Sequence, residues 1–327
     1  MLTPRDAEDW LRLQALAGEL PEPGCLVLDC RGAGVSERLS VSLAQLLVGW
    51  TQPVIALTAQ PLPRVLARAV DCVLEDERAL RAIEDNVRHA PIAAMSLVRL
   101  ARAIEQLDVD AGLDMESVTY GCLQDGPEYK RWLAAHKPEP MPALADGPPL
   151  RLEREGAMLR VSLNRPELRN SMTVEMRDAL VEVFSMALLD DSIVKVILTG
   201  EGKCFSVGGE LREFGQVADA ATGHWIRALR LPGRWLARLG DRAEVRVHGA
   251  CIGAGVELPA FAARVTAVKN SYFQLPELQF GLVPGAGGCV SIARRIGRHR
   301  FNYMALSGKR ITCQTALDWG LVDEVLT

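Results

Sequence analysis

The spacing of apolar positions changes period several times along the chain, and each change marks an element. From about Leu150 short apolar runs alternate with helical spacing. Arg151 to Glu155 and Met158 to Leu163 flank Gly156 and predict a hairpin of short strands. Thr173 stands where it can cap a helix to about Leu189, with Met176, Leu180, Val183, Phe184 and Ala187 on one face. Val194 to Leu198 is an apolar strand, followed by a glycine-rich loop from Gly200 to Glu210 and a helical stretch through Trp225 and Trp235. Val245 to His248 reads as the next strand. It runs into the turn Gly253-Ala254-Gly255 and a helix from Val256 to about Ala262. Val265 to Val268 and Tyr272-Phe273 read as strands, and Arg294 to Ala305 and Thr312 to Trp319 as helices.

The first part is less regular. Cys25 to Asp29, Val54 to Leu57 and Val70 to Leu74 read as strands, and Leu39 to Gly49 as a helix. From Ala79 to Ala135 the period is helical, with Ala93, Leu97, Leu100, Ala101 and Ile104 on one side. Between the parts, Lys137 to Pro149 carries five prolines, which disfavour helix and remove amide donors, so a boundary falls there. Leu26 to Gly34 parallels Val196 to Gly202, a strand leading to a glycine-rich turn. That is either a shortened internal repeat or the chance likeness of two α/β stretches.

Composition narrows the class. The 327 residues are 49% hydrophobic and 24% charged, as in an ordinary globular protein. A net charge of −4 gives no global pull toward nucleic acid or anionic membrane. The local basic cluster Arg294, Arg295, Arg298, His299 and Arg300 reads as a solvated helix end, or else as a contact for substrate phosphate or a second subunit. Eight cysteines without a CxxC pair, and a polar N-terminus without a secretory signal, point to free thiols and a cytoplasmic location. No apolar run approaches a membrane span of about 20 residues, and no histidine is spaced with Cys or Asp as a metal ligand.

Two carboxylates carry the chemistry. Glu257 and Glu277 each sit in a glycine-rich frame, Gly253-Ala254-Gly255-Val256-Glu257-Leu258 and Leu275-Pro276-Glu277-Leu278, the latter followed by Pro284-Gly285-Ala286-Gly287-Gly288. Paired carboxylates suit acid/base work when their environments separate their pKa values. Backbone amides at Gly253 to Gly255 and at Gly208-Gly209 can stabilise developing negative charge, and a helix N-terminus adds roughly half a unit of positive charge. Each loop alone is also an ordinary tight turn, and Glu257 alone an ordinary glutamate near a helix start. Ser206 lacks a GxSxG frame, and the Gly285 to Gly288 run lacks dinucleotide spacing.

The motifs together are more specific. Arg165 to Met172, Cys204 to Leu211, Gly249 to Leu258, Gln274 to Glu277, Gly281 to Gly288, Leu306 to Arg310 and Ala316 to Val325 resemble the crotonase (enoyl-CoA hydratase/isomerase) superfamily, in the family's order. The resemblance implies an α/β fold, a crotonase-like ββα spiral, over 150–327, and an acyl-CoA substrate with no cofactor besides the coenzyme A it carries. It implies an enoyl-CoA hydratase/isomerase-type lyase that hydrates an α,β-unsaturated acyl-CoA. The alternatives are isomerisation, thioester or C–C hydrolysis, decarboxylation, or an inactive assembly member. Glu257 and Glu277 would be catalytic, and the amides of Gly209 and Ala254 would form the oxyanion hole. Leu168, Arg169, Ser206, Gly208, Glu210, Leu211 and Gly285 would line the substrate, with Leu168 and Arg169 along coenzyme A and Gly285 beside the water. The partners implied are a homotrimer or dimer of trimers, with no nucleic acid and no membrane.

Several positions depart from the family pattern. Glu210 stands where the family usually has Asp, Gly-Ala-Gly where it has three glycines, and Pro259 near a helix start. The family normally continues beyond this point with a helical tail that covers the site and builds a trimer. Here His89 to Ala94, Gly112 to Ser117 and Trp132 to Ala135 look similar to that tail. The domain expectation is therefore a shortened crotonase-like α/β segment without catalytic loops at 1–80, a helical segment at 81–137 acting as a relocated trimerisation tail, a Pro-rich linker at 138–149, and the catalytic domain at 150–327. His224 borders the expected acyl pocket and reads either as a site residue or as a solvent-facing helix residue.

Overall fold

In the computed structural model, the described residues are 1–17, 24–32, 34–144 and 146–326; Ala33 of the first glycine-rich turn, Ala145 of the linker and Thr327 lie outside them. The N-terminal unit alternates α1 (Pro4–Ala17), β1 (Leu26–Asp29), α2 (Glu37–Leu46), β2 (Val54–Leu57), α3 (Arg64–Ala69) and β3 (Cys72–Leu74). Its three strands are parallel, in the order β1-β2-β3. Both faces of this sheet are covered, which is why its strands read as unbroken apolar runs. Leu28, Val54 and Ala56 pack with Ala7, Leu43 and Leu66 of the three helices. Val27, Ile55 and Leu57 point the other way, into the core of the rest of the molecule.

The helical stretch from Ala79 to Ala135 is four helices: α4 (Leu80–His89), α5 (Pro91–Ile104), α6 (Val109–Gln124) and α7 (Pro127–Ala135). Pro91 and Pro127 open α5 and α7 at first-turn positions, where the missing N–H costs nothing. The Asp108 side chain caps α6 by accepting from the Ala111 amide at 2.8 Å. The buried Glu128 of α7 accepts from the Ile92 and Ala93 amides at 2.8 and 2.9 Å, fastening α7 to the start of α5.

After the linker come β4 (Leu150–Glu155), β5 (Met158–Leu163), α8 (Val174–Leu189) and β6 (Lys195–Gly200). Then follow α9 (Ala220–Leu229), α10 (Pro232–Arg238), β7 (Ala243–Val247), β8 (Ala250–Ile252), α11 (Ala254–Glu257), β9 (Arg264–Val268) and β10 (Tyr272–Gln274). The last elements are α12 (Gly288–Ile296), α13 (Arg298–Ser307), β11 (Ile311–Thr312), α14 (Cys313–Trp319) and β12 (Glu324–Leu326). A six-stranded sheet runs β12-β9-β7-β6-β5-β4, antiparallel only at the β4–β5 hairpin, and a three-stranded sheet runs β11-β10-β8. Thr173 caps α8 through the Met176 amide at 3.1 Å.

Four expectations change. The helix expected from Val256 to Ala262 stops after Glu257, and Pro259 opens a 3-10 turn through Phe261 instead. The stretch through Trp225 and Trp235 divides at Pro232, and that from Arg294 to Ala305 at Gly297, where φ is 83°. The basic cluster is only partly a solvated helix end: Arg294 and Arg300 are exposed, while Arg298 is buried and Arg295 and His299 are half-buried. The buried Arg298 donates to Val70 O and Arg68 O at 2.8 Å and to Asp71 Oδ1 at 3.2 Å, and His299 Nε2 lies 2.8 Å from Ala67 O. Arg295 holds Leu321 O and Ala262 O at 2.9 Å, and Arg294 reaches Leu107 O. Arg298, His299 and Arg294 thus join the N-terminal unit and the helical segment to α13 and α12, while Arg295 and Arg300 tie these helices to their own half.

All eight cysteines are unpaired. Among the described residues no helix is long and apolar enough to cross a membrane.

Candidate functional site

The turns that carry the two glutamates and the oxyanion-type amides fold onto one another. The Ile252 amide donates to Ser206 O, Ser206 pairs with Cys251 in a parallel bridge, and Met172 pairs with Gly209. These bridges stack three loops, 165–172, 204–211 and 249–257, around one cavity of about 1000 Å³. The approach is close enough to require glycine. A Cβ on Gly208, where φ is +90°, would lie 2.6 Å from Ile252 O and 3.4 Å from the Ala254 amide nitrogen. The Gly209 and Ala254 amides have no hydrogen-bond partner among the described residues, and both residues line the cavity.

Glu257 ends the short helix α11 and Glu277 opens the 3-10 turn Glu277–Phe280. Their carboxylates converge at Gly253, which has φ 51°. A Cβ built there would stand 2.9 Å from Glu277 Oε1 and 4.0 Å from Glu257 Oε1. Glu257 is buried, and its Oε2 accepts from the Ala286 amide at 2.7 Å and the Gly288 amide at 2.9 Å. Burial pushes its carboxyl up to about 7 against the pull of those two bonds. Glu277 is half-buried, and its Oε2 is enclosed without a partner. Burial first, then the charges of Glu257 and Glu116, hold its carboxyl well above the usual carboxylate range.

Glu116, on α6 in the N-terminal half, is a third buried carboxylate in this cluster. Its Oε1 accepts from the Gly287 amide at 2.7 Å and its Oε2 from the Cys289 amide at 2.8 Å. Four consecutive amides at the start of α12 thus alternate between two carboxylates: 286 and 288 to Glu257, 287 and 289 to Glu116. Burial, then the charge of Glu257, pushes Glu116 up to about 8. The three acids therefore titrate as a set.

One turn along α6, Tyr120 lies on Gly285, where an added Cβ would come 2.3 Å from the ring. The Arg227 guanidinium of α9 sits 4.6 Å from the centre of that ring. Arg227 donates to Ser117 Oγ, Ser117 O and Gln124 Oε1 at 3.0 to 3.2 Å, all neutral acceptors, and no carboxylate of the described residues pairs with it. The linker contributes as well. His136 to Glu139 border the cavity, and Arg212 donates to Glu139 O at 3.0 Å.

The expected site residues divide accordingly. Leu168, Arg169, Gly208, Gly209, Glu210, Leu211, Ala254, Glu257, Glu277 and Gly285 all border the cavity. Ser206 does not. Its hydroxyl donates to Asn170 O at 2.7 Å and accepts from the Gly208 amide at 3.2 Å, so it shapes the loop from behind. Glu210 is at the wall, but its oxygens are already engaged by Ser171 Oγ at 2.6 Å and by the Arg212 amide and guanidinium at 3.1 and 2.8 Å. His224 Nδ1 lies 2.9 Å from Ser117 Oγ, turned to α6 rather than to the cavity or to solvent. Glu116, Tyr120 and Arg227 escape sequence reasoning. The first two lie on a helix with ordinary amphipathic spacing, and their partners are more than a hundred residues away.

Known proteins resemble the second half of the chain. Residues 153–327 match the model of the enoyl-CoA hydratase/isomerase family. The 2,3-dehydroadipyl-CoA hydratase of Escherichia coli K12 is 35% identical over 176 residues, 53% of this chain and 68% of that protein. The putative enoyl-CoA hydratase/isomerase YhaR of Bacillus subtilis 168 is 31% identical over 51% of this chain and 66% of its own length. A solved enoyl-CoA hydratase from Thermoplasma volcanium GSS1 is 31% identical, with a TM-score of 0.51 over 55% of this chain and 72% of that one. The chain spans about two thirds of the length of these curated relatives. The α/β spiral built around the site and the run of family motifs agree, and the chain belongs to the enoyl-CoA hydratase/isomerase family, the crotonase superfamily.

Proposed function

We propose that the protein adds water across the double bond of an α,β-unsaturated acyl-CoA. The observation that carries this reading is the convergence of Glu257 and Glu277 at Gly253, in the cavity that also holds the unpartnered Gly209 and Ala254 amides. Those two amides would receive the thioester oxygen as it gains negative charge. Glu257, whose charge is supported by two backbone bonds, takes a proton from water as the water oxygen bonds to the β carbon. Glu277, enclosed and without a partner for Oε2, holds its proton and delivers it to the α carbon. This is the division of labour that unequal environments impose on two carboxylates. Leu168 and Arg169 are the proposed coenzyme A contacts, and Gly285 the proposed water seat.

The helices of residues 81–137 are proposed to close the acyl end of the site, because Tyr120 lies on Gly285 and Glu116 on Gly287. A homotrimer or dimer of trimers is the proposed assembly, supported by the exposed Trp225 and Leu229 of α9. Arg227 favours an acyl group with a polar or anionic far end, as in the substrate named for the Escherichia coli relative. Product mass across a panel of enoyl-CoA chains tests the reaction class. In the E257Q and E277Q variants turnover should fall roughly 100- to 10,000-fold, while saturated acyl-CoA binds within a few-fold of wild type. Wild-type hydration by both variants would overturn the reading.

A further inference from the structure

The alternation of four amides between two carboxylates gives Glu116 work beyond capping a helix. Glu257 can take the Ala286 and Gly288 amides only while the loop Gly285–Gly288 keeps its present course. Nothing in Glu257 itself fixes that course, since both its bonds would follow the loop if it moved. Glu116 fixes it independently, from a different helix, through Gly287 and Cys289. It does so from a buried position on α6, whose residue Gly112 is already against Val290 of α12, with room for a Cβ only at 3.0 Å. Residue 116 also lies outside the residues matched by the family model.

We infer that Glu116 is a positioning residue for Glu257: by holding the Gly287 and Cys289 amides it presents Ala286 and Gly288 to the Glu257 carboxylate and keeps that carboxylate aimed at the reacting water. This rests on the hydratase reading above and assigns Glu116 no contact with substrate, since it does not border the cavity. The charged and titratable groups facing it are Glu257 of α11, Glu277 of the turn before α12, Cys289 of α12, and Arg227 of α9.

The pH profile separates this role from two others by sign. Amide bonds favour a charged carboxylate, so a loop that slips from Glu257 raises its pKa. The acid limb of the hydration rate should then move to higher pH in E116Q and E116A. Loss of a like charge alone would move that limb to lower pH. A purely structural role would lower stability and leave the limb where it is. The expected result is an upward move, with kcat reduced roughly 10- to 100-fold and acyl-CoA KM changed less than about threefold. E116Q, which keeps one acceptor oxygen, should lie between wild type and E116A.

If neither variant folds, Gly112→Ala makes the same test gently. It pushes α6 from Val290 while leaving the carboxylate intact, and the limb should move the same way by less. A downward or absent move in the folded variants overturns the inference. Titration of the Glu257 carboxyl in the full chain by 13C NMR, identified by its loss in E257Q, reads the same sign without turnover. An upward shift there in a protein that hydrates no enoyl-CoA would sink the hydratase reading and keep the positioning role. No upward shift in an active enzyme would do the reverse.

Discussion

Glu257 shows how the environment proposed for catalysis opposes stability. Its carboxyl is raised by burial to about 7, so between the ordinary carboxylate value and about 7 the folded protein binds the proton that the unfolded chain has released. The contribution of Glu257 to stability is therefore greatest at acid pH and declines as pH rises toward 7. Replacing it should reverse this. E257Q is expected to unfold at a higher temperature than wild type at pH 8, by the equivalent of on the order of 1–3 kcal/mol, with the gain shrinking toward pH 5. Scanning calorimetry at the two pH values checks it. On the proposed mechanism the same group sets the activity profile: the rate should rise as pH passes about 7, where Glu257 loses its proton, and fall again where Glu277 loses its own. A pH–rate curve flat from 6 to 8 would contradict those assignments.

At the scale of elements, one close contact between the halves rests on a glycine whose neighbour is backbone. Gly281 has φ +70°, and a Cβ on it would stand 2.6 Å from Glu128 Cβ and 2.7 Å from the Tyr129 amide nitrogen. Gly281→Ala should cost about 1–3 kcal/mol in urea unfolding and expose the α7–linker junction to protease first. Strands and caps such as β5 and Thr173 are legible in the sequence because period and capping chemistry act over a few residues. The break after Glu257 is legible only in part. Pro259 announces it, but the apolar spacing through Ala262 argues the other way. The helices α1 and α3 are not legible, since the first turns of α1 are largely charged and α3 is only six residues long. Ser206 matches a family motif by position, yet only the fold reveals that its hydroxyl is consumed by Asn170 and Gly208. Glu116 is hidden for the opposite reason: nothing near it in sequence hints at partners 171 and 173 positions later.

The molecule as a whole is tied together at Asp71. This fully buried carboxylate accepts from Arg102 Nε at 2.7 Å, from Arg298 Nη1 at 3.2 Å and from the Val54 amide at 2.9 Å, while Asn302 donates to its backbone oxygen at 2.8 Å. One residue thus links the N-terminal sheet, the helix α5 and the C-terminal helix α13. Breaking a buried charge cluster by removing one partner leaves the others unpaired, at about 3–5 kcal/mol. Asp71→Asn should therefore lower stability by that order, and the N-terminal unit should release early, in a transition of its own. Coincident tryptophan fluorescence and circular dichroism transitions in the variant would count against this linkage.

The separation between Glu116 and its amides also has a meaning in time. At ribosomal rates of roughly 5–20 residues per second, the 171 residues between Glu116 and Gly287 take about ten to thirty seconds to emerge. Through that interval the residues of α4 to α7 are already synthesised, and α12 and α13, which pack on α5, and the amide partners of Glu116 are not. The nascent chain therefore carries an apolar helical face long before the residues that cover it exist.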